Sequence, residues 1–230
     1  MRVDVAFTPA ETISAPVGIV VDVLRATSTI AQALGAGYER VFCCREVEDA
    51  LALRKELGTG LLGGERSAVK IEGFDVGASP REFLEARDEP VIFSTTNGTR
   101  AILAAAGRCD EVYLGSLLNL TAVAKAARER GEDVAVLCAG FQGAFALDDA
   151  YCAGRIVQLL EAEQGDAAKA SVAIADAWPD PHAALLARTY GPPGLEQDIA
   201  FCAQVDVLDV VPRFERMHGR AAEITKREEA

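Results

Sequence analysis

Apolar residues along this chain fall into short dense runs, separated by stretches where they recur every three or four positions. The run Val17–Val23 is apolar at nearly every position. That pattern suits a strand covered on both faces. Similar runs predict strands at Val3–Phe7, Gly18–Val23, Arg40–Cys44, Pro90–Ser94, Glu111–Gly115, Asp133–Cys138 and Leu208–Val211. The helical period predicts helices at Ser28–Ala36, Val47–Leu57, Thr99–Ala106, Leu120–Arg130, Leu147–Ala162, His182–Thr189 and Leu195–Gln204. Gly37, Gly58, Gly107, Gly131 and Gly165 stand where those helices should stop, as glycines just past a helix end do.

Strands alternating with helices imply an α/β fold, a largely parallel sheet sandwiched in three layers α/β/α. One domain over residues 1–230 is the working expectation; two interleaved lobes are its alternative. No repeat, low-complexity segment or clear linker breaks the pattern. WPDPH and GPPG read as turns between late helices, and residues 219–230 read as a charged tail prone to fraying.

Composition narrows the class. Half of the 230 residues are hydrophobic, enough for a sizeable core, and 25% are charged. The net charge of -12 repels nucleic-acid phosphates and anionic membranes, so neither is an expected partner. The start MRVDVAFTPAE has no secretory pattern, and no run of 18 apolar residues occurs. The six cysteines form no CxxC pair and sit mostly in apolar stretches. Reduced, buried thiols in a cytoplasmic protein are expected.

Ligands in open α/β sheets bind beyond the carboxyl ends of strands, and four post-strand segments there are unusual. The first, VVDVLRATST, sets Asp22 at a strand end, Arg25 three residues on, then Thr27, Ser28 and Thr29. A carboxylate there can hold a divalent cation beside a helix N-terminus that attracts phosphate. It can equally be an Asp–Arg pair with a hydroxyl cap. The second, GGERSAVKIEGFD, packs Glu65, Arg66, Lys70 and Asp75 among glycines, with Gly64 permitting close backbone approach. The bland alternative is a solvated loop.

The third, STTNGTRA, lies between a strand and a helix. Thr96, Asn97 and Gly98 can present successive amides to an anion. Thr99 and Arg100 add a hydroxyl and a cation. An Asn-Gly turn with a Thr cap is the simpler account. The fourth, CAGFQGAFALDDA, leads through Gly140 to Asp148 and Asp149, which are metal ligands or ordinary first-turn acids. Cys138 reads as a buried hydrophobe rather than a nucleophile.

Several alternatives lack their signatures. There is no GxxxxGK[ST], no GxGxxG after an early strand, no cysteine with arginine six positions on and no DxDx[TV]. His182 and His218 read as surface groups. Carboxylates, hydroxyls and a hard metal remain, the ingredients for hydrolysing a phosphate monoester.

On VDVLRATSTI, GGERSAVKIEGFDVGASP, STTNGTRA, GSLLNLTAVA, CAGFQGAFALDDAYCAG and DIAFCAQVDVLDVVP, the chain resembles the 2-phosphosulfolactate phosphatase family over roughly residues 4 to 212. The resemblance implies a magnesium-dependent α/β/α enzyme. Its reaction hydrolyses (2R)-2-phospho-3-sulfolactate to sulfolactate and phosphate, on the route to coenzyme M. Family members look able to accept other 2-hydroxy-acid phosphates. Such a substrate carries about four negative charges near neutral pH. Asp22 would hold Mg²⁺ with help from Glu65, Asp75 or the pair Asp148 and Asp149. The Thr96–Thr99 segment and Arg100 would hold the phosphoryl group, and Arg25, Arg66 and Lys70 would hold the carboxylate and sulfonate or share the phosphoryl charge. A phosphatase for another small phospho-acid, or a non-catalytic sensor of an anionic metabolite, are the rival readings. Such scaffolds often self-associate, so a homodimer is among the expectations.

Overall fold

The computed structural model describes residues 1–191 and 193–228. In chain order the strands are β1 Arg2–Ala6, β2 Val17–Val21, β3 Arg40–Cys43, β4 Leu61–Arg66, β5 Val69–Lys70, β6 Val91–Ser94, β7 Glu111–Gly115, β8 Val134–Cys138, β9 Glu163–Gln164, β10 Pro212–His218 and β11 Ala221–Lys226. The helices are α1 Ala26–Ala36, α2 Val47–Leu57, α3 Gly98–Ala106, α4 Leu120–Arg130, α5 Leu147–Leu160, α6 Asp166–Ala177, α7 Pro181–Leu186 and α8 Glu196–Cys202.

The strands join in one sheet, in the order β5-β4-β6-β3-β11-β10-β7-β2-β8-β1-β9. Two parallel groups, β4-β6-β3 and β7-β2-β8-β1-β9, flank the antiparallel hairpin β10–β11. β11 runs against β3, β10 against β11 and β7 against β10, so the two groups point in opposite directions. The chain starts in the larger group with β1 and β2, crosses to the smaller for β3 to β6, and returns to the larger for β7 to β9.

Successive strand residues face opposite sides, and the cores follow. Val41 packs under α1 and α3 in a core with Val20, Val112 and Leu114 from the other half. Its neighbour Phe42 packs with Leu62, Ile92 and the α2 residues Ala50 and Leu53. Helices α4 to α8 cover the remaining face of the larger half, around Tyr151, Ile156 and Leu185. The architecture is α/β with helices on both sides of a mostly parallel sheet. Among the described residues no helix is long and apolar enough to cross a membrane.

Gly37, Gly58 and Gly131 take the left-handed conformation at the ends of α1, α2 and α4, with φ of 111°, 73° and 68°. Gly165 does not end α5. Glu161 does, at φ 52°, and Gly165 caps the start of α6, an Ala-rich helix the sequence did not reveal. Leu208–Val211 is not a strand. It runs beside the turn at Leu117–Asn119, Leu208 N–H donating to the Leu118 carbonyl at 2.9 Å, and the strand starts at Pro212.

The expected tail is the largest correction. Residues 221–226 form β11 in the middle of the sheet, with Ala221, Ala222, Glu223 and Ile224 buried. Arg216 at 2.9 Å and Arg40 at 3.8 Å answer the buried Glu223 charge. Residues 229 and 230 of that expectation, and Pro192 of the GPPG turn, lie outside the described residues. All six cysteines are free.

Candidate active site

β2 ends where Asp22 begins, and the next turns fix that carboxylate. The Thr27 hydroxyl accepts from Asp22 N–H at 3.1 Å and donates to the Asp22 carbonyl at 2.9 Å. The Ser28 hydroxyl donates to the Val23 carbonyl at 2.8 Å, and Thr29 to Ala78 at 2.8 Å. The hydroxyls therefore staple strand end to helix start rather than face a ligand. The Asp22 carboxylate accepts from Ala26 N–H at 3.3 Å and from the Gly98 amide. Gly98 must be glycine: a Cβ there would lie 2.4 Å from Ala26 Cβ and 2.6 Å from Asp22 Oδ2. This contact brings the end of β2, in one half of the sheet, against the end of β6 in the other.

The β4–β5 hairpin forms a second wall. Its turn residues Ser67 and Ala68 are both left-handed, at φ 53° and 63°, a geometry usually left to Asn-Gly. At the hairpin base, Glu65 Oε1 accepts from Thr96 N–H at 2.6 Å and Oε2 from Ala68 N–H at 2.6 Å. Gly64 lets β4 press onto β6, since a Cβ there would lie 2.1 Å from the Ser94 carbonyl oxygen. The amides of Thr96 and Gly98, expected to cradle a phosphoryl group, are thus used by Glu65 and Asp22. Thr99 is buried and caps α3 in exchange with Thr95, at 3.1 and 3.2 Å.

The third wall comes from the loop after β8 and the start of α5. Asp149 accepts from Val23 N–H at 2.9 Å and Gly140 N–H at 3.0 Å, tying both strand ends together. Gly140, at φ 66°, lies where a Cβ would meet the Ala144 carbonyl oxygen at 2.4 Å. Asp148 lines the cleft and accepts from the Tyr190 hydroxyl. The Tyr190 ring stacks on Phe141 at 4.5 Å, and Arg188 bonds the Tyr190 carbonyl.

Electrostatics sets this cleft apart. Burial pushes Asp22 up to about 7, against the Ala26 amide, and the charges of Asp148 and Glu65 add to it. Asp148 is raised by burial, opposed by the Tyr190 hydroxyl and by Arg188. Asp149 stands well above the usual range through burial and the charges of Asp148 and Asp22. Among the described residues no Lys or Arg forms an ion pair with any of the three. A divalent cation would relieve that repulsion, and the donors are hard oxygens of the kind Mg²⁺ takes. Among the described residues no three His, Cys, Asp or Glu side chains stand close enough to enclose a metal. Mg²⁺ commonly uses one or two carboxylates with water and substrate phosphate. Asp22 and Asp148 fit that pattern; both oxygens of Asp149 are committed to amides.

One cleft therefore gathers Asp22, Arg25, Glu65, Thr96, Asn97 and Asp148, and adds Phe141 and Gln142 from the fourth segment, with Arg188 and Tyr190, which the sequence did not point to. Arg188 falls in the expected helix His182–Thr189, which in the structure ends at Leu186, and Tyr190 stands between it and the GPPG turn. Four expected members lie elsewhere. Arg66 braces β4 against β6 through Ser94 Oγ at 2.9 Å and the Arg45 carbonyl at 3.1 Å. Lys70 is exposed on the hairpin. Asp75 serves the α2 side, accepting from Leu62 N–H at 2.9 Å and Arg54 at 3.0 Å. Arg100 points outward because its neighbours Thr99 and Ala101 face inward on the helix, and it lines a different cleft. Asp22 and Arg25 do not pair; Arg25 pairs with Asp198. The Cys138 thiol is held well above its usual range by burial, which suits a packing role.

The chain matches the family model described as 2-phosphosulpholactate phosphatase over residues 5–217. Three relatives are each named probable 2-phosphosulfolactate phosphatase. That of Thermus thermophilus is 43% identical, over 96% of this chain and 98% of its own. That of Carboxydothermus hydrogenoformans is 36% identical, over 96% of both chains. That of Caldanaerobacter subterraneus is 39% identical, over 85% of this chain and 86% of its own.

Proposed function

The chain belongs to the 2-phosphosulfolactate phosphatase family of phosphoric monoester hydrolases, and from that membership we propose that the Asp22 cleft hydrolyses a 2-phospho-hydroxy acid with the help of Mg²⁺. The substrate that fits first is (2R)-2-phospho-3-sulfolactate, giving sulfolactate and phosphate, a cytoplasmic step on the route to coenzyme M. The observation that carries the reading is a pair of buried carboxylates, Asp22 and Asp148, which form no ion pair among the described residues, in one cleft with Arg25 and Arg188. A site for anions alone gains nothing from two buried acids. A site for a phosphoryl group bridged to a hard cation needs both signs of charge.

A bound Mg²⁺ would supply positive charge to offset that of the phosphoryl group. The chain supplies the rest. Asp22 and Asp148 would hold the cation, and the Ala26 and Gly98 amides aim the Asp22 oxygens. Arg188, which lines the cleft and whose charge acts on Asp148, would meet the phosphoryl group. Glu65 locks the hairpin against Thr96, so the wall does not shift when charge enters. Tyr190 stacked on Phe141 keeps bulk water from the acids. Hydrolysis adds water across the P–O bond, and in this class of reaction positioning and charge stabilisation supply most of the acceleration.

The test is phosphate release from phosphosulfolactate and from phospholactate, with Mg²⁺ and with chelator. Release from the first ester, stopped by chelator and restored by Mg²⁺, is expected. Release that ignores chelator removes the metal from the reading, and no release from either ester removes the hydrolase.

A further inference from the structure

Arg25 lines the cleft, yet its side chain is only 9% exposed. A buried guanidinium without a counter-charge is strongly destabilising, so its partner matters. That partner is Asp198 on α8, remote in sequence and itself 6% exposed. Asp198 is held in turn: the Ser79 hydroxyl donates to it at 2.6 Å, and Arg81 stands 3.8 Å away. Ser79 is itself fixed as the cap of the short turn Pro80–Glu82. A second contact, Arg25 Nη2 to the Ala68 carbonyl at 3.3 Å, sets the plane of the fork. A guanidinium has five N–H donors in fixed directions. Two are committed to Asp198 and Ala68, and among the described residues the side chain makes no other hydrogen bond.

The position of Arg25 says which part of a ligand it meets. Arg25 stands where the cleft meets an outer groove, beside Ala68 and Leu195, which line both.

We propose that Asp198 is a positioning residue that holds Arg25 toward a second acid group of the substrate, a carboxylate or sulfonate beside the phosphate ester. This rests on the hydrolase reading for its substrate class, but its geometry does not depend on turnover. Asp198 touches no substrate; it acts through Arg25, and so it sets preference for diacids rather than the rate of bond breaking.

The experiment measures binding first, by calorimetry with sulfolactate, which carries both acids and no phosphate. Asp198→Asn should weaken Kd about tenfold, the loss of one charged, oriented hydrogen bond. In an Arg25→Gln background the same change should move Kd less than about twofold, because the partner it acts through is gone. Asp198→Glu should recover part of the loss, and Ser79→Ala, which keeps the carboxylate, should cost less than about threefold. In turnover, Asp198→Asn should raise KM about tenfold for phosphosulfolactate while kcat stays within about threefold. With an alkyl phosphate lacking both acids the KM penalty should vanish. The penalty should survive with either phospholactate or the phosphate ester of 2-hydroxyethanesulfonate, and the survivor identifies the acid that Arg25 meets. Additive effects of the two substitutions on Kd, or an equal penalty on the alkyl phosphate, would overturn the assignment. If wild-type protein releases phosphate from none of these esters, the hydrolase reading fails while the sulfolactate titrations still decide the role of Asp198.

Discussion

The cleft around Asp22 and the cleft around Arg100 both hold arginines near strand ends, and they differ in how the charges are kept. In the first, Asp22 and Asp148 are buried, Arg25 is anchored by Asp198, and Glu65 is pinned by two amides. In the second, Arg45, Arg100 and Arg108 are exposed around a floor of Ala101, Ala105 and Leu137. Arg45 pairs with Glu46 at 3.2 Å across open surface. The second cleft is roomier, about 420 Å³ against about 60 Å³. Space is therefore a poor guide here. Charges removed from water interact several times more strongly than charges left in it, so the narrow cleft has the greater capacity to bind and polarise an ester.

That contrast can be broken or sharpened. The largest effect should come from Asp22→Asn, which lowers kcat/KM about 10³-fold by removing a charge aimed at the reacting group. The same change should leave Tm unchanged or raised, since a repelling buried charge is lost. A loss under tenfold would place the chemistry elsewhere. Gly98→Ala comes next: the added methyl forces Asp22 and Ala26 apart, costing about 2–3 kcal/mol of stability by denaturant titration, with turnover falling alongside.

A smaller effect concerns pH. Folding raises the Asp22 pKa from 3.8 to about 7, so the folded chain keeps a proton that the unfolded chain has lost. Stability is then fullest below the unfolded value and falls as pH climbs toward the folded one. Without divalent cations, Tm should drop by about 5 °C between pH 5 and pH 7.5. Mg²⁺ at pH 7.5 should return most of it, as a ligand of the folded state does. A flat melt profile would mean that the acids do not repel as their burial implies. The smallest effect is assigned to Arg100→Ala, within about twofold in kcat/KM, as for an exposed charge. A tenfold loss there would erase the distinction between the two clefts.

Much of the fold was legible because α1, α2 and α4 end on left-handed glycines and β2, β7 and β8 are dense apolar runs. β4 and β5 were hidden: LLGGERSAVK has glycines and charges where a strand wants branched residues, and Ser67-Ala68 is not a customary tight-turn pair. β11 was hidden because Glu223 reads as solvated until Arg216 and Arg40 are seen to answer it. In the candidate site, Asp22, Arg25, Thr96, Asn97 and Asp148 could be named because each comes after an expected strand, and Glu65 because it stands among charges and glycines. Local sequence does not tell which side of a helix a cation takes, so Arg100 was grouped with Arg25. Nor does it tell that amides meant for a ligand already bond Glu65. Arg188 and Asp198 arrive from late segments, and only tertiary packing puts them there.

The place of β11 bears on how the molecule comes into being. Cys43 pairs with Ala222, so the seam joining the two halves is stitched by residues that follow both parallel groups along the chain. Until residue 226 has emerged, a nascent chain has both parallel groups but nothing to bridge them, and β3 and β7 present raw edges to any neighbouring strand. Such long-range pairing slows folding. The polypeptide is thus most open to misassembly just before it becomes an enzyme.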